Sequence, residues 1–257
     1  MLYQKLRPST RALCVIAGAV VLVASWETAV ATGLVSSLLL PRPAVVAQSL
    51  ATVMKSRSFW SDVGATIFTW VLGVVVGTVI GGAVGLLLGL NSYIWAGVEP
   101  WIEFLRALPS VVLVPLVSIF LGVGGGSRFV SAMLVVFVLM VSSSATAVRA
   151  TRSSYIRLAV AWRATPLQML LTFYLPATLS HLMVALRAAI PLALIVTVAA
   201  DMLIATDAGL GRMLMDALAV FDTKKLYAGV IVVGLLGYAA SAVGSFIERK
   251  AIHWSGA

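Results

Sequence analysis

From Val63 to Leu90 the chain runs 28 residues without one charged side chain. As a helix this segment is about 42 Å long at 1.5 Å per residue, enough to cross a hydrocarbon layer of about 30 Å. Further mostly apolar runs of about 20 residues lie at Leu13 to about Gly33, Trp101–Leu121, Phe129–Val148, Leu182–Ala205 and Leu226–Ile247. Hydrophobic residues make up 61% of the 257 residues and charged ones 11%, against about 45–50% and 25% in a soluble domain. With a mean hydropathy of +1.07, a water-soluble fold of this size has too little interior to hide the apolar surface. Lipid is therefore the solvent for most of the chain. This excludes a disordered chain, a collagen, a disulfide scaffold and an ordinary cytosolic enzyme. The expected fold is all-α and polytopic, with about six transmembrane helices in a single transmembrane domain spanning 1–257.

Six spans place both termini on one side. Eleven Lys and Arg fall on that side and seven, Arg128 among them, on the other, so the positive-inside bias puts the termini in the cytoplasm. The first run follows Lys5, Arg7 and Arg11 and ends near Ala29-Val30-Ala31, which also suits a signal peptide; it is read as a retained span. The net charge of +9 is spread between apolar runs, with no basic stripe interleaved with aromatics. It fits anionic headgroups rather than nucleic acid. Cys14 has no partner for a disulfide, and His181 and His253 have no metal-ligand spacing. Gly122-Val123-Gly124-Gly125-Gly126 is a tight turn, and no Gly-Lys-Ser/Thr follows to make it a phosphate loop. After Pro41-Arg42-Pro43, the spacing of Val46, Leu50, Val53 and Met54 predicts a short amphipathic helix on the outer surface.

The long inner segment is 149–181. Thr165-Pro166 reads as a helix start and Leu175-Pro176 as a helix end. A helix, a break and a short helix should therefore project from the membrane between spans four and five.

Little in the chain suits catalysis. Gly-x-Ser-x-Gly and His-Glu-x-x-His are both missing from the sequence, and Ser142-Ser143-Ser144 suits helix packing. Gly73, Gly77, Gly81, Gly85 and Gly89 recur every four residues and form one winding stripe. It reads as a close helix contact, or else as a gliding surface. Asp201 lies deep in the fifth span. A carboxylate near the bilayer centre must face the bundle interior or a water path, so, the alternative being a hydrogen-bonded interior Asp nearer the outer surface, it is assigned to the pathway or its gate. Pro109 and Pro115, which break the third span, and Arg187 join it there. Arg187 either snorkels or pairs with Glu99 or Glu103, and Glu27 reads as interfacial. With no nucleotide loop of its own, the chain must use an ion gradient or a partner's ATP hydrolysis. The projecting segment favours a docked partner.

Segment 157–176, RLAVAWRATPLQMLLTFYLP, resembles the cytoplasmic "EAA" loop of permease subunits of binding-protein-dependent ABC importers. Leu175 and Pro176 match the Leu-Pro end, Ala159 the second alanine, and Gln168 a glutamine frequent in one subfamily. Phe173 replaces an aliphatic residue, Arg157 stands where Glu is usual, and Arg163 where Gly is usual. LLLPRPAVVAQSL, FWSDVGATIFTWVLGVVVGTVIGGAVGLLLGL, LRALPSVVLVPLVSIFLGVG, ADMLIATDAGLGRML and DTKKLYAGVIVVGLLGYAASAVGSFIERK are similar, in order, to the nitrate/taurine/aliphatic-sulfonate permeases of that family.

The resemblance implies a type I importer bundle. Two permease subunits, as a homo- or heterodimer, would form the pathway, and a dimer of cytoplasmic ATPases would bind below. An extracytoplasmic binding protein would deliver a small solute, such as a sulfonate, taurine or nitrate. ATP and Mg would belong to the partner, with no cofactor or metal on this chain. The coupling loop would include Arg157, Ala159, Arg163, Thr165, Gln168, Leu175 and Pro176. Arg157 and Arg163 would meet an acidic cleft on the ATPase, or mark this subunit as one that pairs with a second, more regular permease. The alternative is an ion-gradient-driven secondary transporter.

Overall fold

The computed structural model describes residues 8–151, 161–165, 168–204 and 207–251. Among them the chain is helical without strands. In chain order the helices are α1 (Pro8–Ala31), α2 (Pro43–Met54), α3 (Arg57–Gly89), α4 (Ser92–Ala107), α5 (Leu113–Leu121), α6 (Gly125–Arg149), α7 (Leu175–Leu203), α8 (Leu210–Ala219) and α9 (Thr223–Ala251). Five of these are long and apolar enough to cross a membrane, and the bent pair α4–α5 together has the length and apolarity of a sixth, broken span.

The centre of the bundle is α6, with α3 on one side and α7 on another. Small side chains let neighbours approach: Ala132, Ser144 and Ala145 on α6 are wholly buried. The α3 glycines lie against it. A Cβ on Gly77 would sit 2.7 Å from the Met133 carbonyl oxygen, and one on Gly81 2.6 Å from that of Phe137. A Cβ on Gly73 or Gly89 would stand 2.8 Å from Ala132 or Ala145, and one on Gly85 would run into Val141. Ser144 Oγ donates to the Gly82 carbonyl at 2.8 Å, tying the two backbones across the seam. Lipid gives helices no hydrophobic reason to associate, so this contact rests on close packing and such bonds.

The third span begins earlier than the apolar run suggests. Asn91 caps α4, its Oδ1 accepting from the Tyr93 and Ile94 amides. Trp95 and Ile102 then pack on Val138, Val141 and Ala145 of α6. The break comes at Leu108–Pro109, and the span turns through 92° into α5. Pro115 does not break the span a second time. It is the third residue of α5, where its missing N–H costs no intrahelical bond. Val114 of α5 packs on Val135, Val196 and Ala200.

The peripheral helices follow their sequence. The short amphipathic helix forms as α2, with Pro43 in its first turn, Val46 buried, Leu50 and Val53 half-buried and Met54 exposed. It lies on α9. The first span, α1, is almost entirely exposed. It is held at one end, where Trp26 Nε1 donates to the Pro41 carbonyl at 3.0 Å and its ring meets Tyr227 at 6.0 Å. In α7, Pro191 lies inside the helix, and Trp70 of α3 donates to the preceding Ile190 carbonyl at 2.8 Å.

Candidate functional site

At the end of the bundle where α6 begins and α7 finishes, three lone polar residues converge. Arg128 of α6 and Asp201 of α7 form an ion pair at 2.5 Å, with side chains 7% and 0% exposed. Thr66 of α3 donates its Oγ1 proton to Asp201 Oδ2 at 2.6 Å and accepts from the Leu210 amide at 2.9 Å. Arg128 Nη1 also donates to the Ala208 carbonyl at 3.0 Å, and the Gly209 amide donates to Asp62 at 2.9 Å. Two otherwise intolerable charges thus neutralise each other inside an apolar bundle. Glycine makes the fit possible. Gly209 has φ +153°, and a Cβ there would come within 2.5 Å of Asp201 Oδ2. A Cβ on Gly211 would run into Val198 and Asp201.

This arrangement corrects two expectations. Arg128 is no outer-loop cation but a buried residue inside α6. Asp201 is buried, as a carboxylate here must be, yet it stands two residues before the end of α7 rather than near the span's middle. The missed signal was the pair itself: an Arg at the start of one apolar run and an Asp near the end of another, at the same end of the bundle, need each other.

Arg187 is exposed and pairs with Glu248 of α9 at 2.8 Å, not with Glu99 or Glu103. Glu103 instead pairs with Arg106, one turn along α4, at 2.6 Å. Arg106 also reaches Ser142 Oγ of α6 at 3.3 Å. Pro109 forms the adjacent elbow.

On the inner segment, Arg157, Ala159 and Pro166 lie outside the described residues. Arg163 is exposed and holds φ +52°, a left-handed conformation that favours glycine; glycine is the residue that the resembling loop carries there. Thr165 and Gln168 form a reciprocal cap: the Thr165 amide donates to Gln168 Oε1 at 2.9 Å, and the Gln168 amide to Thr165 Oγ1 at 3.3 Å. The expected helix end at Leu175-Pro176 does not occur. Met169–Tyr174 forms a widened π-helical turn that runs straight into α7, with Leu175 and Pro176 exposed in its first turn. In the wider turn the proline's missing N–H interrupts no regular ladder.

Comparison with known proteins fits this architecture. Residues 73–253 match the family described as binding-protein-dependent transport system inner membrane component. The chain is 27% identical over 241 residues to the taurine transport system permease protein TauC of Escherichia coli, covering 92% of this chain and 87% of that protein. It is 24% identical to the putative aliphatic sulfonates transport permease protein SsuC of Bacillus subtilis, covering 91% and 84%. Its fold is similar to a chain of the MetNI methionine ABC transporter in inward-facing conformations, with TM-score 0.63, 18% identity, and 75% of this chain and 96% of that chain covered. The chain therefore belongs to the family of binding-protein-dependent transport system inner membrane components, as a multi-pass translocation subunit of an ABC importer.

Proposed function

We propose that this permease carries a small organic or inorganic anion or zwitterion of the sulfonate, taurine or nitrate kind, delivered by an extracytoplasmic binding protein and driven by a cytoplasmic ATPase dimer. The observation that carries the reading is the likeness, over nine-tenths of the chain, to permeases named for taurine and for aliphatic sulfonates. ATP and Mg would sit on the ATPase. Two permease subunits would line the pathway, with both termini in the cytoplasm.

The proposed coupling element is the 149–181 segment. Thr165 and Gln168 cap each other's amides just before the π turn Met169–Tyr174, which is continuous in sequence with α7. A push on the segment would reach α7 as a rigid displacement, which suits rocking between two bundle arrangements. Arg157 and Arg163 would meet acidic groups on the ATPase. Asp201, Arg128 and Thr66 would act as the latch that keeps α3, α6 and α7 moving together at the opposite end.

Purification from native membranes with partners attached tests this reading. A nucleotide-hydrolysing subunit in about equal amount is the expected companion. A chain that purifies alone and drives uptake from an ion gradient would overturn it.

A further inference from the structure

The α4–α5 elbow borders a half-open cavity of about 420 Å³. Its walls include Leu134 and Val138 of α6 and Leu192 of α7, and its polar rim is Glu103, Arg106 and Ser110. Leu134 lies nine residues from the start of α6, and Ser142, which Arg106 touches, lies seven from its end. At 1.5 Å per residue these levels are about 14 Å and 26 Å along a helix of about 36 Å. Leu192 is at the middle of the apolar run His181–Leu203. The cavity is therefore at mid-membrane depth.

Glu103 and Arg106 are 53% and 41% exposed there. Charges at this depth cannot face lipid and must face water, a partner or a solute. Their pairing differs from that of Arg128 and Asp201, which are buried from all sides. Arg106 holds Glu103 and Ser142 through the same Nη1 atom, while a guanidinium has five N–H donors in a planar fork. Donor capacity therefore remains for an oxyanion.

We propose that Glu103 and Arg106 form a solute site within the membrane, and that it takes a small zwitterion, an acidic oxyanion joined to an ammonium group. This deepens the transport reading and rests on it. The site carries one charge of each sign and is neutral overall. In an apolar bundle it takes a neutral dipolar solute at least electrostatic cost, with the oxyanion on Arg106 and the ammonium on Glu103. A simple anion would leave Glu103 as an uncompensated like charge. The cavity can hold a solute of a few heavy atoms between the pair and the apolar wall of Leu134, Val138 and Leu192.

The test uses the complex with its ATPase and its extracytoplasmic binding protein in proteoliposomes. Ala107 lines the elbow and is exposed, and Cys14 is the sole cysteine of the sequence. In a chain carrying Cys14→Ser and Ala107→Cys, the rate of thiol labelling is read with millimolar aminoethanesulfonate and with ethanesulfonate, which lacks the amine. The zwitterion should slow labelling about fivefold or more and the simple anion less than about twofold. Glu103→Gln should abolish the difference, and Arg106→Gln should abolish protection by either solute. Failure of the introduced thiol to react, equal protection by both solutes, protection by neither, or protection unchanged in both variants would overturn the proposal. ATP-driven uptake by the same vesicles is scored separately. Uptake without protection overturns the site alone, and no ATP-driven uptake of any solute overturns the transport reading beneath it.

Discussion

Arg128 and Asp201, 73 positions apart in sequence, meet at 2.5 Å and close the bundle end where α6 starts and α7 finishes. Thr66 from α3 and the backbone around Gly209 complete the cluster. Removing one member of a buried pair strands the other charge, at a cost of about 3–5 kcal/mol, whereas replacing both with apolar groups is near neutral. Asp201→Leu should therefore lower the thermal unfolding midpoint of the detergent-solubilised protein sharply, and Asp201→Leu with Arg128→Met should recover most of it. A silent single substitution would show that the pair contributes nothing to the fold.

Gly209 is held to glycine twice over, by its φ of +153° and by the carboxylate 2.5 Å from where a Cβ would stand. Gly209→Ala should cost on the order of 2 kcal/mol through strain and displacement of Asp201. Gly64→Ala is the control. It lies in α3 with open space around it, and should be neutral or stabilising by up to about 1 kcal/mol.

On the α3–α6 seam, Gly81→Val drives a side chain into the Phe137 backbone and should cost about 2 kcal/mol or more. Gly82→Ala, one residue on and facing open space, should be tolerated. Paired unfolding curves of these variants separate a packing requirement from a general dislike of bulk in α3.

Arg163 adopts φ +52°. Arg163→Gly should stabilise the segment by about 1 kcal/mol by removing that strain. Arg163→Ala removes the charge but keeps a Cβ. If the charge docks on an acidic cleft of the ATPase, both variants should lose coupled uptake. If only the backbone matters, the glycine variant should match or exceed the parent.

The architecture was legible because spans of 20 to 33 apolar residues admit one answer in lipid. The stripe from Gly73 to Gly89 and the cap at Thr165 were legible as local patterns, since spacing alone puts their residues on one face or in one turn. Pairings across helices were not. Arg128 looked like a loop cation because it closely follows a glycine turn, and Arg187 could reach several carboxylates before the packing of α7 on α9 brought Glu248 to it. Leu175-Pro176 looked like a stop because a proline opposes an ordinary α-turn, and nothing in the sequence announced the π turn before it.

Uptake into proteoliposomes tests the central claim most directly. The permease is reconstituted with its co-purified ATPase and binding protein, and labelled taurine or an alkanesulfonate is supplied at the binding-protein side. The account expects accumulation that needs ATP and the binding protein and persists when ion gradients are collapsed. Accumulation by the permease alone, driven by an ion gradient and indifferent to ATP, would contradict it.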